Sequence, residues 1–270
     1  MSSPSPSATR KRGPTAGPVV FEHPLSERIR SFLRLETVLA DARQRLVHPE
    51  PAISRAALGS LLELASLTER GELKREILSE LERQRIVLSQ LRENAEIDSG
   101  KLDETLSRLG REQDAVEALG NALGHGLKTN EFLSAIRSRS AIPGGTCSFD
   151  LPSLHCWLMR PAEERQRDLA RWLDQLEPVE RALAIILEHT RGAASPEQTV
   201  ARGGIYEYVP PSDNPPVLLR VLLPAQSRLF PLVSAGRQRI TIQFQRWHGT
   251  QSRAETLRED VPFALALCRL

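Results

Sequence analysis

Apolar residues recur at three- and four-residue intervals from Leu25 to about His189, and after Gly192 the period falls to two. No other feature of the chain limits its fold as tightly. A period near 3.6 buries one stripe of a helix, and alternation buries one face of a strand. A chain that shows first one and then the other is built as a helical part followed by a sheet part. The fold class this spacing predicts is therefore α+β: a mainly α-helical domain followed by a small antiparallel β-sheet domain. Residues 1–18 read as a disordered Ser/Pro-rich basic tail, 19–196 as the helical domain and 197–270 as the β-strand domain.

The stripes define the helices one by one. Leu25, Ile29, Phe32, Leu33, Leu39, Ala42 and Leu46 form the first, and Pro24 suits its first turn, where a missing N–H costs little. Ile53, Ala57, Leu61, Leu64 and Leu67 form the second, with Gly71 as the break that follows. Leu73, Ile77, Leu81, Leu88 and Leu91 form the third; Leu102, Leu106, Leu109, Val116 and Leu123 form the fourth. The loop between these two, Asn94 to Gly100, makes them an antiparallel hairpin. The four-three spacing of Leu102, Leu106 and Leu109 is that of a coiled-coil seam. Two arrangements suit such a hairpin: packing against a second copy of the chain, or burial within its own domain. A short helix over Glu131–Ser138 precedes the turn Ile142-Pro143-Gly144-Gly145, and further helices begin near Leu151-Pro152 and span Arg160–Leu176 and Pro178–His189.

Beyond the boundary at Gly192-Ala-Ala-Ser-Pro196, strands are expected at Ile205–Val209, Val217–Leu223, Leu229–Val233, Arg239–Trp247 and Phe263–Leu270. Ser234 to Arg237 is a hairpin turn. Ile240, Ile242 and Phe244 face one way and Thr241, Gln243 and Gln245 the other, which gives one small sheet with a polar face.

Composition restricts function more by exclusion. No apolar run approaches the roughly 18–20 residues a membrane span needs, and Met1 to Pro18 lacks the apolar stretch of a secretory signal. Three cysteines in 270 residues suit a reduced, cytosolic protein. Cys147, Asp150, His155 and Cys156 could form a thiol or zinc site, but their spacing matches no usual ligand pair and a structural turn is the simpler reading. Gly144-Gly145 lacks the Lys-Ser/Thr of a phosphate loop. His23, His48, His125, His189 and His248 are scattered and read as surface or capping residues. The chain is read as non-enzymatic, with no cofactor and no metal.

Charge is unevenly spread. Residues 201–270 hold nine arginines and no lysine against five acids, and residues 1–18 hold Arg10, Lys11 and Arg12 with no acid. Arginine pairs bidentately with carboxylates and phosphates, so a recognition surface and a set of solvated strand faces both fit. A nucleic-acid-binding accessory protein is the alternative this pattern allows, although an aromatic content of 4% leaves little for base stacking.

Particular stretches say more than composition. Phe21-Glu-His-Pro-Leu-Ser-Glu-Arg-Ile-Arg-Ser-Phe-Leu-Arg-Leu-Glu36, Glu69-Arg70-Gly71-Glu72, and above all Ile142-Pro-Gly-Gly-Thr-Cys-Ser-Phe-Asp-Leu-Pro-Ser-Leu-His-Cys-Trp-Leu158 resemble the ZapD family of bacterial cell-division proteins, as do Ser227–Pro231 and Gly236–Phe244. The resemblance spans residues 19–270. It implies an α-helical and a β-strand domain, a homodimer, and binding to the C-terminal tail of FtsZ, the tubulin-like GTPase that polymerises at the division site. It also implies cross-linking of FtsZ filaments into bundles, a cytoplasmic mid-cell location and no catalysis. The site residues it implies are Arg30 and Arg34, four apart on one helix face, then Arg70, Arg139, His155 and Arg239, with Arg237 as a neighbour. For each, a surface ion pair worth about 0–1 kcal/mol is the competing role; for Arg70 an intramolecular pair within Glu-Arg-Gly-Glu is as good a reading. The family pattern has basic residues where this chain has Glu131 and Gln243.

Overall fold

The computed structural model describes residues 17–69, 71–93, 98–120 and 123–269. Its contacts divide them into two units, one of residues 24–193 with Arg269 and one of residues 17–23 with 194–268.

In the first unit Ser26 accepts a hydrogen bond from the Ile29 amide and starts helix α1, Glu27–Leu46, with Glu27 in the first turn and Arg43 and Arg45 in the last, as the helix dipole favours. Helix α2, Pro51–Leu67, starts on a proline. Helix α3, Leu73–Ser89, runs into a 3₁₀ turn, Gln90–Glu93, and α4 is Ser99–Glu117. Lys74 at the start of α3 donates to the carbonyl of Glu117 at 3.0 Å, and Arg92 pairs with Asp103 at 2.7 Å. Those two contacts fix α3 and α4 as an antiparallel hairpin. Short helices α5, His125–Thr129, α6, Glu131–Ser140, and α7, Pro152–Leu158, follow, then α8, Ala162–Asp174, and α9, Glu177–Gly192.

Helix α9 is the centre of this unit. Val179, Ala182, Leu183, Ile185, Ile186 and Leu187 are all buried, against α1, α3 and α4. A helix that is apolar most of the way round belongs in a core, and each fully buried Leu or Ile stabilises by about 1.5–3 kcal/mol. Phe132, Trp157 and Trp172 form an aromatic cluster with centroids 5.7–6.3 Å apart, and the Trp157 indole donates to Asp168 at 3.0 Å.

Several polar side chains are buried with partners. Glu80, 3% exposed, accepts from Arg28 at 2.9 Å, from Nε and Nη2 of Arg83, and from Gln84 at 3.1 Å. Burial pushes its carboxyl up, but the hydrogen bonds and charge of Arg83 and the hydrogen bonds of Arg28 and Gln84 outweigh that and hold it below the usual range. Gln84 also donates to the Ile186 carbonyl, and its side-chain oxygen lies 3.0 Å from His189 Nδ1. His189 is thus half-buried against Gln84, not a surface or capping residue. Burial and the Arg108 charge depress its pKa, against the opposing charge of Glu188. Arg165, buried without a carboxylate partner among the described residues, donates to the Ser54 hydroxyl and to the carbonyls of Leu158, Arg160 and Pro49.

The second unit is two sheets. Strands β1, Val19–Pro24, β2, Glu197–Ala201, β4, Leu218–Leu223, and β8, Val261–Cys268, lie in the order β1-β4-β8-β2. Strands β3, Ile205–Tyr208, β6, Ile240–Arg246, and β5, Leu229–Ala235, form the second in the order β3-β6-β5, with β7, Glu255–Thr256, also on β6. Phe263 of the first sheet meets Phe244 at 4.9 Å and Tyr206 at 5.5 Å from the second, so the core lies between the sheets. Gly204 permits the β3 entry: its φ is +80°, and a Cβ there would sit 2.3 Å from the Leu257 carbonyl oxygen.

The α+β class is as the periodicity predicts, while the strand arrangement differs from it. Val19–Pro24, expected to lead into the first helix, is a strand of the β unit, and Pro24 ends it instead of opening α1. One sheet was expected and two form, because the inward faces of β6 and β8 bury each other. Among the described residues no helix is long and apolar enough to cross a membrane.

Candidate partner-binding surfaces

The residues singled out by the sequence fall at three places. The first is α1. Arg30 pairs with Glu27 at 3.1 Å. Arg34, one turn on, is exposed and has no carboxylate partner among the described residues. It edges a cleft of about 270 Å³ with Leu35, Leu67 and Leu73 among its lining and Glu27, Glu72 and Glu76 around it. Arg70 lies outside the described residues.

The second place is the turn between α6 and α7. Asn130 caps α6 by accepting from the Leu133 amide at 3.0 Å, and the last turn of α6 carries exposed Arg139. The Arg139 carbonyl accepts from Ile142, the Ile142 carbonyl from Gly145, the Gly144 carbonyl from Cys147, and the Cys147 carbonyl from Asp150 and Leu151. Gly144 has φ +74°, and a Cβ on Gly145 would lie 2.4 Å from the Arg139 carbonyl oxygen, so this winding needs both glycines. Arg55 of α2 clamps it by donating to the carbonyl and hydroxyl of Thr146 at 3.3 and 3.2 Å. His155 stands exposed on α7 just beyond. Arg139 and His155 therefore flank one hydrogen-bonded turn. Glu131 opens α6 on the same element as Arg139 and is exposed.

The third place is the β5–β6 hairpin. Arg237 is exposed without a carboxylate partner among the described residues, and Arg239 pairs with Glu207 at 3.0 Å, both side chains being more than half exposed. A pair that open to water is worth about 0–1 kcal/mol, so Glu207 holds Arg239 loosely. Ile205, Gln243 and Leu232 are register partners across β3, β6 and β5 and share one sheet face, with Ile205 and Leu232 exposed. Arg239 continues that face, and Gln243 supplies no charge to it. Cys147 and Cys156 are exposed free thiols and Cys268 is buried. Among the described residues no three His, Cys, Asp or Glu side chains are grouped as a metal site needs.

Sequence reasoning missed two members of the turn surface. Arg55 lies far along the chain from it, on a helix chosen for its apolar stripe. Phe149 lies within the Ile142–Leu158 stretch, and its exposure has no sequence signature.

The fold thus defines a two-unit α+β protein with exposed arginines at the end of α6 and at the β5–β6 turn. Residues 33–243 match the family model for ZapD, a cell division protein. The chain is 38% identical over 256 residues to Cell division protein ZapD of Aromatoleum aromaticum (strain DSM 19018 / LMG 30748 / EbN1), covering 94% of this chain and 99% of the relative. It is 35% identical over 252 residues to Cell division protein ZapD of Azoarcus sp. (strain BH72), with 93% and 100% covered, and 35% over 251 residues to that of Ralstonia pickettii (strain 12J), with 93% and 99% covered. The chain belongs to the ZapD family of cell division proteins.

Proposed function

We propose that this chain is a non-enzymatic adaptor that binds the C-terminal tail of FtsZ and, as a homodimer, cross-links FtsZ filaments into bundles at the division septum, in the cytoplasm at mid-cell. Beyond family membership, one observation carries the reading. Many arginines of the chain are neutralised by nearby carboxylates, among them Arg28, Arg43, Arg191 and Arg220. Arg34, Arg139 and Arg237 are exposed and have no carboxylate at ion-pair distance among the described residues, with Glu27, Glu72 and Glu76 lining the cleft beside Arg34. Arg55, Arg111, Arg167, Arg228, Arg253 and Arg258 share that state, so the property marks a set of candidates, among which the family resemblance in the sequence implies Arg34, Arg139 and Arg237. Guanidinium groups without an ion-pair partner beside apolar side chains suit a short peptide with carboxylates and apolar residues.

Dimerisation supplies the bridging. On α3 and its 3₁₀ extension Val87 and Leu91 are exposed one turn apart, a row suited to a second copy, and Ile86 is exposed on the neighbouring face. Single tail contacts are weak because the peptide must be ordered on binding. Two sites facing filaments with many tails raise avidity by about 10²–10⁴.

The test is fluorescence anisotropy of a labelled FtsZ C-terminal peptide titrated with wild type, Arg34→Glu and Arg139→Glu. Saturable binding that salt weakens and either reversal abolishes, with unchanged circular dichroism, is expected. No binding at low salt rejects the reading.

A further inference from the structure

We infer that residues 141–159 carry an apolar anchor point for the bound peptide, centred on Phe149 and framed by Arg55 and Arg139; this rests on the tail-binding reading above. Phe149 is 80% exposed, Met159 73% and Ile142 51%. A single exposed apolar residue needs no explanation, but several large ones rimmed by charge on one short stretch mark an interaction surface. The stretch is not exposed for want of structure. Consecutive backbone hydrogen bonds run from Arg139 to Leu151, and Arg55 ties Thr146 to α2. Leu151, Leu154, Trp157 and Leu158, which follow directly, are buried. The winding turns those four side chains inward and leaves Phe149 outside, in a chain with only seven phenylalanines.

The surroundings select the occupant. Arg55 and Arg139 have no carboxylate partner among the described residues, and Asp150 is the sole acid from Ala141 to Met159. The Met159 amide donates to the His155 carbonyl at 3.2 Å, so Met159 and His155 lie one helical turn apart on one face. Exposed aromatic and thioether side chains on a stretch that begins just after Arg139 and is tied to Arg55, neither arginine being paired with a carboxylate among the described residues, fit a peptide that carries a bulky apolar side chain beside carboxylates. A single-stranded nucleic acid would need a series of aromatic platforms to track its bases, and this stretch exposes one phenyl ring and one imidazole.

The experiment titrates the labelled FtsZ tail peptide with full-length wild type, Phe149→Ala and Arg139→Glu at several salt concentrations. Phe149→Ala weakens binding about tenfold or more, as loss of an aromatic anchor does, with the slope of log Kd against log salt unchanged. Arg139→Glu weakens binding and flattens that slope. A second variant, Phe149→Trp, shifts its emission to the blue when peptide is added. Wild-type binding that Phe149→Ala leaves within twofold, with no spectral shift for Phe149→Trp, overturns the anchor and leaves the tail-binding reading standing. Absence of wild-type binding overturns both. Loss of oligothymidylate binding in Phe149→Ala with peptide binding intact assigns the ring to nucleic acid and also overturns the anchor.

Discussion

Glu80 provides the sharpest test of how the helical unit is held. It is 3% exposed on α3 and joins Arg28 of α1 to Arg83 and Gln84 of its own helix. Removing one partner of a fully buried ion pair costs about 3–5 kcal/mol. Here the arginine side chains retain 39% and 33% exposure, so once freed they turn to water. Gln84 keeps the Ile186 carbonyl at 3.2 Å. The cost of Glu80→Ala should therefore fall to about 2–3 kcal/mol, and that of near-isosteric Glu80→Gln to about 1–2 kcal/mol. The assay is urea denaturation followed by tryptophan fluorescence, since Trp157 and Trp172 both report on the helical unit. The carboxyl pKa is depressed in the folded state. Its contribution is present above the unfolded-state pKa, about 4.3, and is lost as pH falls through the folded-state value. The difference between wild type and Glu80→Gln should hold constant from pH 8 to 6 and shrink steadily below about pH 4.5. A neutral Glu80→Gln, or a difference equal at pH 7 and pH 3, would refute the reasoning.

Three further outcomes are expected. Because His189 has a depressed folded-state pKa, the unfolded chain binds the extra proton first; wild type should lose stability as pH drops below about 6.5, and His189→Gln should flatten that part of the urea-midpoint profile. Gly204→Ala places a Cβ at φ +80° and 2.3 Å from the Leu257 carbonyl oxygen, and should cost the β unit about 2 kcal/mol or more, read as a lower thermal midpoint. Val87→Glu puts a charge in the exposed row on α3 and should shift sedimentation from dimer to monomer with the helical content unchanged; a dimer that persists removes this face of α3 as the dimer face.

Helices were legible in the sequence because their stripes are local. Ile29, Phe32, Leu39 and Ala42 are buried as the spacing requires, although Leu35 takes the core position that Leu33 was assigned. The stripe of α3 fades after Leu81 because Glu80 and Gln84 take buried positions with polar side chains, which a hydrophobic pattern cannot register. Strand β1 escaped detection because it pairs with β4, nearly the whole chain away, and β2 because Glu197–Ala201 is short and largely polar. The division into two sheets depends on Phe244 meeting Phe263, a contact between strands not adjacent in sequence. For the candidate surfaces, residue identities were legible and their pairing was not. Glu207 meets Arg239 only because β3 pairs with β6, whereas Arg30 with Glu27 is a local three-residue contact open to prediction. The exposure of Phe149 follows from the winding at Gly144 and Gly145, which no periodicity encodes.

The central claim is that the protein joins FtsZ filaments through their tails. Its most direct test is right-angle light scattering and low-speed sedimentation of FtsZ polymerised with GTP, with and without this protein, beside FtsZ lacking its C-terminal tail. Scattering and pelleted FtsZ should rise with full-length FtsZ and stay at baseline with the truncated form. Unchanged scattering with polymerised full-length FtsZ, or equal bundling of the tail-less filaments, would contradict the account.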